Sequence, residues 1–335
     1  ALVLLADGAA QGPVRVYRAG KRANVAKLDV APGLPRLLAE VKRDRPDVWH
    51  LHTPNVTMTL AVLADPGIRP LVVTHHSDIV RQKVLKYAVR PLEFAVCRRA
   101  AKLLPTSPEY AAGSDVLRHF ARKVEPLPLG LDLTPYRHPS AAALAHAEEL
   151  RKRYPGPLWL SVGRLIYYKG LDVGLRALKD VPGTLLAVGT GPQREALGSL
   201  AAELGVADRV VWQGRATDDE LVGAYRAATA LWFPSNARSE GFGLVQVEAM
   251  ASGCPVVNTR VPFSGVAWVA KDGVSAVTVP INDPAAFAAA ARRLVDEPGL
   301  REKLSATAVR EATDRFDHRV MARHSLDIYR AVSHR

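Results

Sequence analysis

Residues 230–248 read ALWFPSNARSEGFGLVQVE, and the fold and the function are best approached from this stretch. The apolar run Ala230–Pro234 predicts a buried strand, and Gln246–Ala251 predicts a helix. Two carboxylates, Glu240 and Glu248, bracket the glycine-rich turn between them. Glycines allow close backbone approach, and a helix N-terminus offers unpaired N–H groups to ligand oxygens. The stretch therefore predicts one wall of a pocket for a polyhydroxylated ligand, although a capped helix with a solvated Glu248 would explain these residues equally well.

The length and composition indicate a globular protein of two domains. The chain has 335 residues, a length that exceeds the usual size of a single core. Of these residues 48% are hydrophobic and 23% are charged, as is usual for a globular protein. Two distant cysteines, Cys97 and Cys254, match no metal or redox spacing, so we expect buried thiols in a reducing cytoplasm. No apolar run is long enough to span a membrane. The chain starts at Ala1 inside an apolar run, so we expect a segment before it to be missing.

The charge favours an anionic partner without identifying it. The net charge is +12, which suits a nucleic acid, an anionic membrane surface or a phosphate-bearing substrate. Residues 79–102 predict a basic amphipathic helix, with a possible kink at Pro91, that could lie on anionic lipid. A solvated outer face of a domain would have the same pattern.

Short apolar strands alternate with helices along both halves of the chain. This rhythm predicts an α/β protein with two doubly wound parallel sheets. We predict a first domain over residues 1–150, joined by a C-terminal helix over 318–335, and a second domain over 151–317. Between them, a proline-flanked segment over 134–157 predicts the connection. We also predict one helix over Pro108–Phe120 and an apolar strand and loop over Val124–Leu131.

In open parallel sheets, ligands bind beyond the carboxyl ends of the strands. The residues expected at these ends should converge on one cleft. In the second half they are Gly163, Arg164, Gly189, Gly191, Gly214, Arg215 and the Glu240 loop, and in the first half they are His52, His75, His76 and Asp78.

Arg164 and Lys169 predict a site for a diphosphate. A guanidinium fork and a mobile ammonium group suit phosphate oxygens, and they would stabilise the charge of a departing diphosphate. Two solvated surface cations are the alternative. The sequence contains neither a P-loop nor a GxGxxG fingerprint, and no set of side chains spaced for a metal, so we expect neither a cofactor nor a metal.

Histidines at the strand ends could bind a ligand or exchange protons near neutral pH. A lone histidine is more often a satisfied structural residue. His76 ends a predicted strand on the side of the cleft, which favours a functional role for this residue.

Taken together, these residues resemble the GT-B retaining glycosyltransferases of family four along nearly the whole chain. The matching motifs of the second half are GRLIYYKGLDV (163–173), VGTGP (188–192), WQGRATDDEL (212–221), FPSNARSEGFGLVQVEAMASGCPVV (233–257) and VPINDP (279–284). Those of the first half are PDVWHLHTP (46–54), VVTHHSDIVRQK (72–83) and PLGLD (128–132). The combination is most similar to bacterial α-mannosyltransferases that build O-antigen and other polysaccharides.

The resemblance implies metal-independent transfer of a sugar to a hydroxyl of a lipid-linked or polysaccharide acceptor. We expect the sugar to be mannose and the donor to be GDP-mannose. A UDP-sugar is the alternative donor, and a basic lipid- or nucleic-acid-binding protein is the alternative of another class. A GT-B epimerase or phosphorylase fits less well, since no lysine is identifiable for pyridoxal phosphate. We expect a cytoplasmic enzyme that could sit on the inner face of the plasma membrane through residues 79–102, with no nucleic-acid partner.

The resemblance also implies a role for each matching residue. The catalytic residues would be Glu240, His76, Lys169 and Arg164. The donor would contact Gly163, Arg164, Lys169, Gly189, Gly191, Gly214, Arg215, Glu240, Gly241, Phe242, Gly243, Leu244 and Glu248, with Glu240 at the sugar and Glu248 at the ribose. The acceptor side would hold His52, His75, His76 and Asp78.

Two departures from the family pattern are visible. The family begins with a strand and a glycine-rich loop, and we expect this first βα unit to be missing here, which leaves the acceptor contacts undetermined. The loop Val261–Val266 lacks the usual glycine-rich form.

Overall fold

The computed structural model describes residues 3–4, 16–17, 23–25, 28–31, 33–78 and 83–333. The chain divides into two compact units. The first comprises Ala1–Pro105, Ser114–Leu127 and Ser325–Arg335, and the second comprises Thr106–Gly113 and Pro128–His324. The predicted border at residue 150 is therefore placed too late, because the helix before it packs within the second unit.

The elements of the first 127 residues are short strands and helices. In chain order they are β1 (Val3–Leu4), β2 (Val16–Tyr17), β3 (Ala23–Val25), β4 (Leu28–Val30), α1 (Leu34–Arg43), β5 (Trp49–Thr53), α2 (Val56–Ala64), β6 (Leu71–His75), α3 (Lys83–Arg99), β7 (Lys102–Pro105), α4 (Pro108–Ala112) and α5 (Asp115–His119).

The remainder alternates strands and helices more regularly. Its elements are α6 (Thr134–Arg137), α7 (Ala141–Arg153), β8 (Leu158–Val162), α8 (Leu171–Leu178), β9 (Thr184–Val188), α9 (Arg194–Glu203), β10 (Val210–Gly214), α10 (Asp218–Ala227), β11 (Ala230–Phe233), α11 (Leu244–Ala251), β12 (Val256–Thr259), α12 (Val266–Val269), β13 (Ala276–Val279), α13 (Pro284–Asp296), α14 (Leu300–Phe316) and α15 (His318–Ser333). Single 3₁₀ turns cover Ala121–Lys123, Tyr167–Lys169 and Ala207–Arg209.

The second unit contains a six-stranded parallel sheet in the order β10-β9-β8-β11-β12-β13. This is the doubly wound order: successive strands are added on one side of β8 up to β10, and on its other side from β11 onward, so the switch point lies between β8 and β11. Trp159 on β8 and Trp232 on β11 are fully buried and stack with ring centroids 5.1 Å apart. The two strands that flank the switch point are therefore joined in the core by a buried aromatic pair.

The first unit contains a three-stranded parallel sheet, β5-β6-β7. Every residue of β6 is buried, as expected of the central strand of a parallel sheet. Two further strand pairs are present, the parallel pair β1-β2 and the antiparallel pair β3-β4. Residues from Ser325 onward, at the end of α15, belong to this unit.

Three predicted elements differ from those observed. The helix predicted over Pro108–Phe120 is two helices, α4 and α5, because Ser114 caps the second by accepting a hydrogen bond from the Leu117 N–H. The predicted strand at Val124–Leu131 is reduced to two isolated bridges, Val124 with Leu103 and Leu131 with Asp317, since Pro126 and Pro128 cannot donate to a ladder. The basic helix predicted over residues 79–102 ends earlier, at Arg99.

Part of the basic character of this helix and of the residues after it is directed inward. The Arg99 guanidinium donates to the carbonyls of Val62, Asp65 and Ile68 at the end of α2, and Lys102 pairs with Glu125 at 2.5 Å. The structure describes no residue over 79–82 and no side chain over 83–88, so three of the seven cations of the predicted lipid-facing helix, Arg81, Lys83 and Lys86, lie outside the described residues. Within the described ranges, none of the helices combines the length and apolar character needed to cross a membrane.

Candidate active site

The candidate site lies at the switch point of the six-stranded sheet. Strand β8 ends at Val162 and is followed by Gly163, and β11 ends at Phe233. The loops after these two strands leave the sheet on opposite sides, which opens a crevice where ligands of doubly wound sheets bind.

Glycines pack the backbone tightly along this edge of the sheet. A Cβ atom on Gly189 would lie 1.9 Å from the Gly163 carbonyl oxygen, and the Gly189 N–H donates to Gly214 O at 2.6 Å. Gly191 is equally confined, since its Cβ would lie 2.3 Å from Leu165 O. Only glycine allows these strand ends to approach so closely.

Lys169 and Glu240 meet at this edge. The Lys169 Nζ atom lies 2.5 Å from Glu240 Oε2, with the two side chains 19% and 11% exposed. The ammonium group also lies 4.8 Å from the centroid of the Phe233 ring. Glu240 Oε2 accepts no well-aligned hydrogen bond from the described residues, so the contact is ionic. The structure thus brings together the two predicted residues that bear opposite charges.

The loop carrying Lys169 is fixed by the glycine that follows it. Gly170 has a left-handed backbone, with φ 66°, and its Cβ would lie 2.0 Å from Pro234 O. The Lys169 loop therefore rests directly on the segment after β11, which leads to Glu240.

The backbone of Glu240 is held by the loop that departs from the family pattern. The Ser264 hydroxyl donates to the Glu240 carbonyl, and the Gly265 N–H donates to Gly241 O at 3.0 Å. Gly265 has no room for a side chain, because its Cβ would lie 2.6 Å from the same Gly241 oxygen. The Val261–Val266 loop therefore supports the carboxylate loop from behind.

Helix α11 begins at this point without a side-chain cap. Its N-cap is Gly243, with φ 79°, and no side chain accepts from the first N–H groups. One turn later, the buried Gln246 amide donates to the carbonyls of Phe242 and Val266 and accepts from Asn258 Nδ2 at 2.9 Å. This network fixes the turn, so the uncapped helix start is rigidly oriented and available to an anion.

Glu248 lies two residues beyond Gln246 on α11, with a partner that the sequence did not reveal. The Tyr225 hydroxyl donates to Glu248 Oε2 at 2.7 Å. Burial raises the pKa of the Glu248 carboxyl, and Asp218 adds to the rise, whereas the Tyr225 hydrogen bond and the charge of Lys169 oppose it.

The other predicted donor residues differ in their exposure. Arg164 is exposed and its guanidinium lies 3.4 Å from the Tyr168 hydroxyl, and Arg215 is also exposed. Phe242 points into the core against Trp268 and Phe316, so only its backbone can face a ligand. Arg164 follows β8 at the switch point, whereas Arg215 follows β10 at the edge of the sheet.

The first unit holds a stack of histidines at the ends of β5 and β6. His52 Nδ1 lies 2.8 Å from His76 Nε2 with the rings stacked, and His50 stacks on the other side of His52 at 4.6 Å. His50 also contacts the hydroxyls of Tyr329 and Thr74. Burial lowers the pKa of His50 and of His76 to about 4, and the neighbouring imidazoles contribute. His50 was not among the predicted site residues, although its alternation with His52 on β5 places both on one face of the strand.

His75 differs from its neighbour His76. Its side chain is 2% exposed and lies between Asp78 Oδ1, at 2.8 Å, and the Thr53 hydroxyl, at 3.1 Å. Ser114 donates to the same Asp78 oxygen. His75 and Asp78, which were predicted on the acceptor side, therefore form a structural network that joins β6 to the start of α5.

Both halves of the chain match families of sugar-transferring enzymes. Residues 145–311 match the family described as Glycosyl transferases group 1, and residues 4–130 match the Glycosyl transferase 4-like domain. The chain is 35% identical over 263 residues to the D-rhamnosyltransferase WbpZ of Pseudomonas aeruginosa, covering 78% of this chain and 68% of that protein. It is 28% identical over 287 residues to the O-antigen chain mannosyltransferase C of Escherichia coli, covering 86% and 75%.

Solved structures agree on the fold. The sucrose-phosphate synthase of Thermosynechococcus elongatus superposes with a TM-score of 0.79 over 98% of this chain and 88% of that one, at 23% identity. Anabaena HepE in complex with UDP gives 0.76 over 95% and 86%, at 20% identity. With the two matched families and these relatives, the chain belongs to the group 1 glycosyltransferases and has the GT-B fold.

Proposed function

We propose that this glycosyltransferase moves mannose from GDP-mannose to a hydroxyl of a lipid-linked or polysaccharide acceptor, with retention of the anomeric configuration and without a metal. One observation carries the proposal: a buried ammonium–carboxylate pair, Lys169 and Glu240, beside an uncapped helix start at the switch point. The relatives named as a D-rhamnosyltransferase and an O-antigen chain mannosyltransferase support a deoxyhexose or hexose donor and a polysaccharide acceptor.

Each part of the donor meets a group of matching chemistry. The diphosphate lies against Lys169, the exposed Arg164 and the first N–H groups of α11, since cations and helix N-termini both bind phosphate oxygens. The Glu240 carboxylate accepts from hydroxyls of the transferred sugar. Glu248, held by Tyr225, accepts from the ribose hydroxyls, and Gly214 and Arg215 lie beside the base.

The residues then stabilise charge as the bonds exchange. The bond between the anomeric carbon and the diphosphate oxygen breaks, and a bond from the acceptor oxygen to that carbon forms on the same face. The acceptor proton passes to the leaving phosphate, whose negative charge is stabilised by Lys169 and Arg164. His76, which burial keeps neutral above a pKa of about 4, acts near the acceptor as a hydrogen-bonding group rather than as a cation.

A UDP-sugar is the second candidate donor. It is favoured by the solved Anabaena structure, which holds UDP in the same fold. A basic lipid-binding protein without transfer activity is the candidate of another class. It accounts for the net charge but leaves the buried Lys169–Glu240 pair without a role.

The proposal is tested by nucleotide release and product analysis. The purified chain is incubated with GDP-mannose or UDP-glucose and a lipid-linked saccharide acceptor, and the anomeric configuration of the product is read by NMR. We expect GDP release with a retained α-linkage, and loss of transfer in Lys169→Met and Glu240→Gln. Lys179→Met, on an exposed lysine at the end of α8, is the matched control and should transfer normally. Equal activity in all variants would refute the site, and turnover of UDP-glucose alone would reassign the donor.

A further inference from the structure

A pocket of about 510 Å³ lies in the second unit, at the opposite end of α11 from the candidate active site. Helix α11 starts beside Gly243 in that site and ends at Ala251, which lines the pocket. The other lining residues come from α6, α7, α10 and α14 and from the turn after α11: Arg137, His138, Arg151, Arg226, Ser252, Gly253, Ser305 and Val309.

The lining is strongly basic. It contains three guanidinium groups and one imidazole, and among the described residues none of those that line it carries a carboxylate. The acidic partner that the structure gives these arginines is Glu148, whose Oε2 lies 3.7 Å from Arg151 Nη1. That distance is long for an ion pair with an exposed residue, and such pairs contribute little. The positive charge of the pocket is therefore largely uncompensated.

Backbone contacts hold two of the guanidinium groups in place. Arg226 Nη2 donates to Tyr136 O at 2.7 Å, and Arg151 Nη2 donates to Arg226 O at 2.7 Å. Each arginine uses only Nη2 for these bonds, which leaves its other N–H groups for a ligand. Burial and the adjacent Arg151 lower the pKa of the Arg226 guanidinium, as expected where like charges are held together.

Two observations separate this cluster from a set of helix-capping arginines. Arg226 and Arg151 donate to carbonyls at helix ends, and this contact alone could explain their positions. The exposed side chain of Arg137, in contrast, makes no hydrogen bond or ion pair with the described residues. In addition, two buried polar atoms in the lining, Arg226 Nε and Ser252 Oγ, have no hydrogen-bond partner in the described part of the chain. Ser252 is 5% exposed. Buried polar groups normally pair with protein or with ordered water, so each of these two atoms has a hydrogen bond left to make with a bound ligand or water.

We propose that this pocket binds a phosphate-bearing anion, as a site separate from the nucleotide-sugar site. Guanidinium forks match the oxygens of phosphate better than those of most other anions. The pocket volume is also in the range that small-molecule ligands occupy. The ligand is either a soluble phosphate ester or the phosphate of a lipid headgroup, which share this chemistry.

The first test is calorimetric titration of pyrophosphate into the full chain carrying Lys169→Met, which removes a proposed phosphate ligand from the other site. We expect one binding event, weakened about tenfold by adding Arg137→Gln, as the loss of one charge-assisted contact predicts. Lys152→Gln removes an equal charge from the exposed end of α7, outside the lining, and should change Kd less than about twofold if contact rather than net charge matters.

Unchanged melting temperatures establish that the variants fold. Arg151→Gln is a second variant of the lining, and it should weaken pyrophosphate binding to the same extent. The second arm measures sedimentation with vesicles of phosphatidylglycerol against phosphatidylcholine. Loss of vesicle binding in Arg137→Gln assigns the site to lipid headgroups, and vesicle binding unaffected by it assigns the site to soluble ligands. Absence of pyrophosphate binding, or equal Kd in the Arg137 and Lys152 variants, would overturn the proposal. Neither experiment measures sugar transfer, so the outcomes of both are independent of the proposed function.

Discussion

The Lys169–Glu240 pair should be strongly coupled in the folded protein. Two opposite charges 2.5 Å apart attract by roughly 7 kcal/mol at an effective dielectric constant of about 20. Desolvation of both groups offsets several kcal/mol of this attraction. We therefore expect a net coupling of about 2–3 kcal/mol.

The perturbations are Lys169→Met, Glu240→Gln and the double variant. Lys169→Met leaves a carboxylate 9% exposed without its cation, so the free energy of unfolding should fall by about 3 kcal/mol. Glu240→Gln should cost about 2 kcal/mol, because the lysine is somewhat more exposed and keeps its contact with Phe233. The double variant should lose no more than the worse single variant, since neither charge is left alone.

Tryptophan fluorescence during urea unfolding measures these free energies. Four of the five tryptophans, at positions 159, 212, 232 and 268, lie in the second unit. A Trp49→Phe background removes the fifth, so that the signal reports this unit alone and a two-unit transition does not distort it. A coupling free energy below about 0.5 kcal/mol from the double-mutant cycle would refute the pair as the structure shows it.

Three further predictions address glycine packing and pH. Gly189→Ala should lower the free energy of unfolding by about 3 kcal/mol or prevent folding, because its Cβ would meet a carbonyl oxygen at 1.9 Å. Gly214→Ala, at φ 73° with open space around it, should lower it by only about 1 kcal/mol. Both values are measured by urea unfolding, and similar costs would contradict the close approach at Gly189. Nucleotide affinity measured by calorimetry should fall as pH drops below the raised pKa of Glu248. The Glu248→Gln variant should lack this pH dependence, and the same dependence in that variant would contradict the role of Glu248. With His50 and His76 at pKa values of about 4 when folded and about 6.5 when unfolded, their contribution to stability is complete above pH 6.5 and is lost as pH falls toward 4. Protection factors of the β5 amides against hydrogen exchange that stay constant over this range would contradict it.

The fold was predictable where periodicity and composition agree. Short apolar strands separated by helices predicted the parallel sheet of the second unit, because buried strands of this kind have a distinctive pattern. The helix predicted over Pro108–Phe120 was wrong, since helical propensity alone does not show that Ser114 restarts the helix. The border of the first unit was harder to predict, because it depends on packing between distant parts of the chain.

The candidate site was predictable to the level of individual charges. Strand-end glycines and the Lys169 and Glu240 positions follow from local sequence, and the structure brings these two residues into contact. Tyr225 was not identifiable as the partner of Glu248, because the two residues are 23 positions apart and no spacing rule connects α10 to α11. Likewise, sequence could not distinguish the buried His75 from its neighbour His76, since adjacent residues of a strand face opposite sides and either side could have been the core.

The central claim is that the switch point around Lys169 and Glu240 binds a nucleoside diphosphate. The most direct measurement is the thermal shift of the full chain with GDP, UDP or ADP, made in parallel on wild type, Arg164→Ala and Lys169→Met. A ligand at about 100 times its Kd stabilises the folded state by about 2.7 kcal/mol, so GDP should raise the melting temperature of wild type by several degrees. The shift should fall in Arg164→Ala and nearly vanish in Lys169→Met. No shift with any of the three nucleotides, or an equal shift in all three proteins, would contradict the account.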